Sequence, residues 1–147
     1  IIDGEYFQRL KGINQYGGIN YAFKGQYTTT RFEHSIGVYY LLNSLGADYE
    51  TQIAGLLHDS GHAPLSHLLE RVDEWKDFEH KSFLNWPGSD EVVSLLSEKG
   101  IKIRDFSEYK LIKQKLPKIG ADRIDYGIRD FVAPTGQLEG IGTRILS

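Results

Sequence analysis

The sequence contains no cysteine and no methionine, and only 4 of its 147 residues are proline. Without cysteine the chain can form neither disulfides nor thiolate metal sites. The absence of cysteine does not show whether the protein is in an oxidising or a reducing compartment. No run of about 18 apolar residues and no signal-peptide pattern is present, so we expect no membrane-spanning segment. These absences predict a soluble protein, which we expect in the cytoplasm.

A strong charge of either sign is also lacking. The net charge is −3 and the isoelectric point is about 5.9, so nothing indicates the basic surface that nucleic-acid binding requires. A length of 147 residues is typical of one domain that can bury its own core. Alternating apolar residues of the kind that form strands occur only at residues 101–103. We therefore predict an all-α fold without repeats or linkers.

Apolar residues at helical spacing, together with capping residues, define the predicted helices. Thr30 and Glu33 form a capping-box pattern, and Asp3, Asp48, Ser89 and Ser107 stand where other helices should begin. The predicted helices cover residues 3–16, 31–45, 49–59, 64–75, 77–83, 90–99, 108–116 and 119–131, with Leu45, Ile119 and Phe131 among the inward positions.

Residues 56–67 are the segment richest in histidine and contain three of the five histidines. His58 and Asp59 follow an apolar run, so an imidazole nitrogen and a carboxylate oxygen can reach one divalent metal. Gly61 lets the chain break, and Pro64 suits the first turn of another helix. We expect His62 and His67 to lie beside the same cleft.

Four residues on three predicted helices could complete a metal site, namely His34, His58, Asp59 and Asp122. Two imidazoles and two carboxylates suit Mn, Fe, Zn or Ni and leave positions open for water and substrate. Taken alone, His34 or Asp122 would more often be a surface or satisfied core residue. Burying so many polar groups at one cleft is costly, and this favours a functional site.

Residues 31–38, 54–67 and 121–126, with Arg129 and Asp130, resemble the HD-domain phosphohydrolase superfamily. Within it the chain is most similar to the deoxynucleoside triphosphate triphosphohydrolases, the SAM- and HD-domain protein-like group. The resemblance runs from Phe7 to Asp130 and implies an HD-domain helical bundle with a single metal site between helices. It implies one divalent ion (Mn, Fe, Zn, Ni or Mg). We expect residues 1–147 to form one HD domain that lacks further C-terminal and some N-terminal structure.

The resemblance also implies roles for individual residues. The metal ligands would be His34, His58, Asp59 and Asp122. His80 would be the catalytic histidine, with Glu70 as its partner. Contacts to the triphosphate would come from Arg31, His62, His67 and Arg123. Contacts to the sugar and base would come from Tyr126, Asp130, Gln15 and Tyr16, although Tyr16 is bulkier than the leucine usual in the family.

The expected activity is hydrolysis of a deoxynucleoside triphosphate to deoxynucleoside and tripolyphosphate. A nucleoside 5′-monophosphatase or a phosphodiesterase would share the four ligands but would not need Arg31, Arg123 and His67 around a long polyphosphate. A third hypothesis is that the protein is a non-catalytic nucleotide-sensing module. The resemblance further implies a homo-oligomer, and neither a membrane nor nucleic acid is expected as a partner.

Overall fold

The structure is a computed structural model that describes residues 1–17, 29–64 and 88–135, with side chains up to residue 131. These residues form α-helices and two short 3₁₀ helices, Arg9–Gly12 and Phe106–Glu108, without a β-strand. None of the helices in the described ranges is long and apolar enough to cross a bilayer. The all-α prediction is confirmed. The α-helices are α1 Glu5–Gln8, α2 Arg31–Ser44, α3 Tyr49–Leu57, α4 Ser89–Glu98 and α5 Ala121–Thr135.

Side-chain caps fix the beginnings of α2 and α3, as the sequence predicts. The Glu33 amide donates to the Thr30 hydroxyl over 3.2 Å, and the Glu33 carboxylate accepts from the Thr30 amide over 2.8 Å. At α3 the Asp48 carboxylate accepts from the Thr51 amide over 2.9 Å. Each cap satisfies backbone donors that a helix N-terminus leaves without partners. Both helices therefore begin at defined residues.

The helices that carry the candidate site pack closely around an apolar core. Helix α2 contacts both α3 and α5. At Gly55 of α3, an added Cβ would collide with the Leu42 side chain of α2, so the glycine permits this close approach. The largest fully buried apolar side chains among the described residues are Phe7, Leu10, Val38, Leu42, Leu57 and Ile112. This packing brings the beginning of α2, the end of α3 and the beginning of α5 together.

The predicted first helix over residues 3–16 is wrong in length. Helix α1 ends at Gln8, the 3₁₀ helix ends at Gly12, and Asp3 does not cap α1. The chain is then extended because Asn14 pairs with Thr30 in an isolated β-bridge. The Gln15 amide donates to the carbonyl of residue 29 over 2.9 Å. Pairing with a remote segment therefore ends the helix while its apolar face stays buried.

The predicted helix over residues 108–116 is also wrong. Only the 3₁₀ helix Phe106–Glu108 forms, and Asp105 rather than Ser107 caps it. The Tyr109 hydroxyl donates to the Glu50 carboxylate over 2.7 Å, and the Ala121 amide donates to the Leu111 carbonyl over 2.7 Å. The Leu111 carbonyl thus accepts from a remote amide rather than from the amide four residues further along a helix.

Several smaller boundaries and faces differ from the prediction. Ser89 is the first residue of α4, and Gly88, with φ of 86°, is the N-cap. Helix α5 extends to Thr135, beyond the predicted end at 131. Three side chains predicted to face inward are more than half exposed, namely Leu45, Ile119 and Phe131. The predicted helices at 64–75 and 77–83 lie almost entirely outside the described residues.

Candidate active site

The structure brings together the side chains of the four predicted metal ligands. One ligand atom each from His34, His58 and Asp59 lies within 4.8 Å of the others, and all three residues are buried. Asp122 Oδ1 lies 3.2 Å from His34 Nε2 and 3.7 Å from His58 Nε2. Their grouping agrees with the sequence analysis, and their role as ligands stays a prediction.

A tight turn after α3 orients His58, Asp59 and His62. The Ser60 amide donates to the Leu57 carbonyl over 2.9 Å, and the His62 amide donates to the Asp59 carbonyl over 3.1 Å. Arg9 binds this turn from the 3₁₀ helix near the N-terminus. Its guanidinium donates to the carbonyl of His62 over 2.8 Å and to the carbonyl of Ser60. The turn is therefore held by a residue far away in sequence.

The hydrogen bond of the His58 ring defines its tautomer. Nδ1 lies 2.7 Å from the Gly55 carbonyl, and a carbonyl only accepts, so Nδ1 carries the proton. The lone pair of Nε2 is then directed toward Asp59 and Asp122. Nε2 is buried and has no hydrogen-bond partner among the described residues. A buried nitrogen lone pair beside two carboxylates fits a divalent cation.

The pKa values of the two carboxylates depend strongly on the side chains around them. Burial alone would raise the pKa of Asp59, but electrostatic interaction with His58, His62 and Arg31 holds it well below its usual range. Burial likewise opposes ionisation of Asp122, yet the hydrogen bond to His34 and interaction with His58 keep its pKa far below the ordinary value. Both carboxylates are therefore anionic at neutral pH.

His34 is the group around which these carboxylates converge. Burial lowers its pKa, but hydrogen bonds to Asp122 and Asp125 outweigh burial and raise the pKa to about 9. Its Nδ1 lies 2.7 Å from Asp125 Oδ2. In the metal-free chain a proton thus occupies a strongly anionic site, which is an environment that also attracts a metal cation.

The predicted triphosphate contacts occupy different environments. Arg31 is buried, and its Nη1 lies 2.7 Å from Asp59 Oδ2. His62 is also buried, with Nδ1 3.6 Å from Asp59 Oδ1. Arg123 is exposed on α5, next to Asp122. The structure therefore brings Arg31 and His62 to the candidate metal ligands, while their contacts to a phosphate stay predictions.

The predicted sugar and base contacts form a second cluster along α5. The rings of Tyr16 and Tyr126 lie 5.5 Å apart between centroids. Burial raises the pKa of the Tyr16 hydroxyl above its usual value, and interaction with Asp130 raises it further. Gln15 is buried, and its Oε1 has no hydrogen-bond partner among the described residues. Tyr126 and Asp130 follow Asp122 at intervals of four residues, so all three share one side of α5.

Three predicted residues, His67, Glu70 and His80, lie outside the described residues, so their roles stay predictions. Sequence analysis assigned no role to three charged residues around the site, namely Arg9, Asp125 and Arg129. Asp125 had a signal, because it follows Asp122 by three residues on the same helix. Nothing in the sequence links Arg9 to the turn that it binds.

A model of the HD domain family matches residues 31–115, which is more than half of the chain. The chain therefore belongs to the HD domain family.

Several curated proteins are similar to this chain. The uncharacterized protein YdhJ of Bacillus subtilis is 39% identical over 129 residues, covering 84% of this chain and 39% of that protein. The metal-dependent phosphohydrolase cns2 of Cordyceps militaris is 31% identical over 134 residues, covering 86% of this chain and 38% of that protein. This chain thus spans about two fifths of the length of these relatives.

Two further comparisons concern part of the chain and the fold. The human deoxynucleoside triphosphate triphosphohydrolase SAMHD1 is 44% identical over 85 residues, covering 48% of this chain and 13% of that protein. The crystal structure of a hypothetical protein from Aquifex aeolicus is similar with a TM-score of 0.61 and 27% identity. It covers 92% of this chain and 42% of the other. The fold is thus shared with a solved structure.

Proposed function

We propose that this protein is a metal-dependent phosphohydrolase that cleaves deoxynucleoside triphosphates to deoxynucleoside and tripolyphosphate. The observation that carries the proposal is the buried convergence of His34, His58, Asp59 and Asp122, with the His58 Nε2 lone pair directed into it. Membership of the HD domain family supports a phosphohydrolase, as does the name of the relative cns2. The partial similarity to SAMHD1 supports the substrate class.

The four side chains would hold one divalent ion, for which we propose Mn, with Fe, Zn, Ni and Mg as alternatives. Such an ion, when bound, supplies Lewis-acid polarisation of a phosphoryl oxygen and activation of water. The protein contributes the fixed ligands. The ring of His58 is oriented by the Gly55 carbonyl, and the Asp59 carboxylate is kept ionised by the surrounding positive charge.

Cationic side chains of this chain would bind the triphosphate. Arg31 and His62 are buried against Asp59, and Arg123 is exposed and directly follows Asp122 in the sequence. Such groups stabilise the charge that develops on phosphoryl oxygens during transfer. In the proposed reaction His80, oriented by Glu70, donates a proton to the 5′-oxygen that leaves with the deoxynucleoside.

The aromatic cluster would bind the nucleoside. The Tyr126 ring, packed near Tyr16, would crowd the 2′ position, and Asp130 would accept a hydrogen bond from the 3′-hydroxyl. Gln15 Oε1 is a buried acceptor, so a donor on the sugar or base would remove the cost of its missing hydrogen bond. This cluster lies on the same side of α5 as Asp122, as a substrate spanning both regions requires.

The test is product analysis after incubation of the Mn-loaded protein with the four deoxynucleoside triphosphates. We expect deoxynucleosides and tripolyphosphate, and we expect Asp122→Ala to abolish both products. Phosphate release from deoxynucleoside monophosphates alone would overturn the proposal in favour of a 5′-monophosphatase. Cleavage of phosphodiesters alone would favour a phosphodiesterase, and nucleotide binding without turnover would favour a sensing module.

Arg123 distinguishes the triphosphate reaction from the others. We expect Arg123→Ala to reduce kcat/KM for triphosphates by at least about tenfold, because one charge-assisted hydrogen bond contributes about 1.5–3 kcal/mol. The matched control is Lys102→Ala, which removes another exposed cation that is outside the proposed site. Equal activity of both variants would contradict the triphosphate assignment. A homo-oligomer and a cytoplasmic location stay predictions.

A further inference from the structure

Asp125 is a buried carboxylate that the proposed reaction does not use. Its Oδ2 lies 2.7 Å from His34 Nδ1 and 2.7 Å from Arg129 Nε. A carboxylate oxygen accepts hydrogen bonds, so both nitrogens donate to it. Nδ1 of the His34 ring therefore carries a proton, and Nε2 is the nitrogen directed toward Asp122 and Asp59.

Arg129 fixes the position of Asp125 relative to α2. Its Nε donates to Asp125 within α5, while its Nη2 donates to the Glu33 carbonyl over 2.9 Å. Glu33 directly precedes His34 on α2. The guanidinium therefore ties the carboxylate to the same helical turn that carries the histidine.

Gly37 provides the space for this arrangement. It follows His34 by three residues on α2, on the side that faces α5. A Cβ added to Gly37 would collide with the Asp125 carboxylate and would lie 2.6 Å from Arg129 Nη2. Any other residue at position 37 would therefore displace the carboxylate from the histidine.

We propose that Asp125 is a positioning residue that, together with Arg129, holds the His34 ring with Nε2 directed at the divalent ion. This inference rests on the proposed function, because it requires His34 to be a metal ligand. Carboxylates and carbonyls that bind the second nitrogen of a metal-bound histidine orient the ring and increase its basicity. Their loss weakens metal binding by about ten- to a hundredfold in other proteins, which sets the expected effect.

Different measurements are expected if Asp125 has a purely structural role. A buried carboxylate that only joins α5 to α2 would affect the melting temperature of the metal-free protein and leave its metal affinity unchanged. A positioning residue changes the affinity, and it also reduces the increase in melting temperature that added metal produces. The two readouts therefore separate the roles.

The experiment measures the Kd for Mn²⁺ in the metal-free protein by electron paramagnetic resonance of the unbound ion. We expect Asp125→Ala to weaken binding about ten- to a hundredfold. Asp125→Asn should have a smaller effect, because its amide oxygen still accepts from Nδ1 although the charge is lost. Since asparagine has nearly the same shape, Asp125→Asn keeps the test valid even where the alanine variant does not fold.

Glycine variants test the same geometry without removing the carboxylate. Gly37→Ala should weaken Mn²⁺ binding, whereas Gly127→Ala should not, because nothing lies within 4 Å of a Cβ added at the exposed Gly127. Normal affinity in both Asp125 variants and in Gly37→Ala would overturn the inference and leave the proposed function intact. A parent protein that binds no Mn²⁺ or other divalent ion would overturn both.

Discussion

At the scale of single residues, the candidate site contains a group that suits metal binding but lowers the stability of the metal-free fold. His58 Nε2 is buried without a hydrogen-bond partner among the described residues. An unsatisfied buried nitrogen costs about 1–3 kcal/mol of folding free energy. A bound cation would remove that cost. The ring is thus arranged for an occupant rather than for the stability of the metal-free chain.

Replacement of this ring tests that interpretation. We expect His58→Phe to change the metal-free unfolding free energy by no more than about 2 kcal/mol, because the lost hydrogen bond to Gly55 offsets removal of the unsatisfied nitrogen. Mn²⁺ should then no longer raise the melting temperature. Calorimetry with and without Mn²⁺ measures both quantities, and a retained metal-induced increase would show that His58 is not a ligand.

Arg31 should be important for stability as well as for binding. It is buried and lies 2.7 Å from the buried Asp59 carboxylate. We expect Arg31→Ala to lower the metal-free unfolding free energy by about 3–5 kcal/mol, because an uncompensated buried charge remains. Urea denaturation measures this loss.

The matched control is Arg104→Ala. This variant breaks the ion pair between Arg104 and Glu50, whose side chains are 52% and 37% exposed. Solvent screens such a pair, so its loss should change stability far less. Similar losses in the two variants would contradict the assignment of a buried charge pair at Arg31.

At the scale of elements, the beginning of α2 determines where His34 lies. Thr30 accepts from the Glu33 amide, and the first turn that this cap closes carries His34. We expect Thr30→Ala to lower the unfolding free energy by about 1 kcal/mol and to weaken Mn²⁺ binding, because the first turn frays. Thr30→Ser keeps the hydroxyl and should restore both, and equal losses in the two variants would exclude a capping effect.

The elements also show which features the sequence could reveal. The caps at Thr30 and Asp48 act through residues three positions away, so local patterns predicted α2 and α3 well. Residues 3–16 and 108–116 also have local helical patterns. Hydrogen bonds to remote segments, at Thr30 and Glu50, determine their structure instead. Local periodicity contains no information about those partners.

In the candidate site, too, local sequence patterns were informative and contacts between remote residues could not be predicted. His58 and Asp59 are adjacent, and short patterns identified each group of polar residues, so the four converging side chains could be predicted. The partner of His34 on its second nitrogen could not be predicted. Asp125 reaches that nitrogen only because Gly37 allows α2 and α5 to approach closely, which is a property of the folded molecule.

At the scale of the whole molecule, metal binding and folding should be linked. The proposed ligands come from α2, from the end of α3 and the turn after it, and from α5, so an ion that binds them stabilises only the folded chain. We expect Mn²⁺ at one hundred times its Kd to increase the unfolding free energy by about 2.7 kcal/mol, and a chelator to reverse the increase. Thermal melts across a Mn²⁺ titration measure this, and His58→Phe is the control. A melting temperature that does not depend on Mn²⁺ would contradict a site assembled by folding.

The bonds from Arg9 to the turn at residues 60–62 have a consequence for the order of folding. They join parts of the chain that are more than 50 residues apart, and contacts of such high contact order form slowly because a long loop must first close. The histidines of the turn are therefore fixed only after the N-terminal segment has docked. The candidate site would thus be completed in one of the last steps of folding.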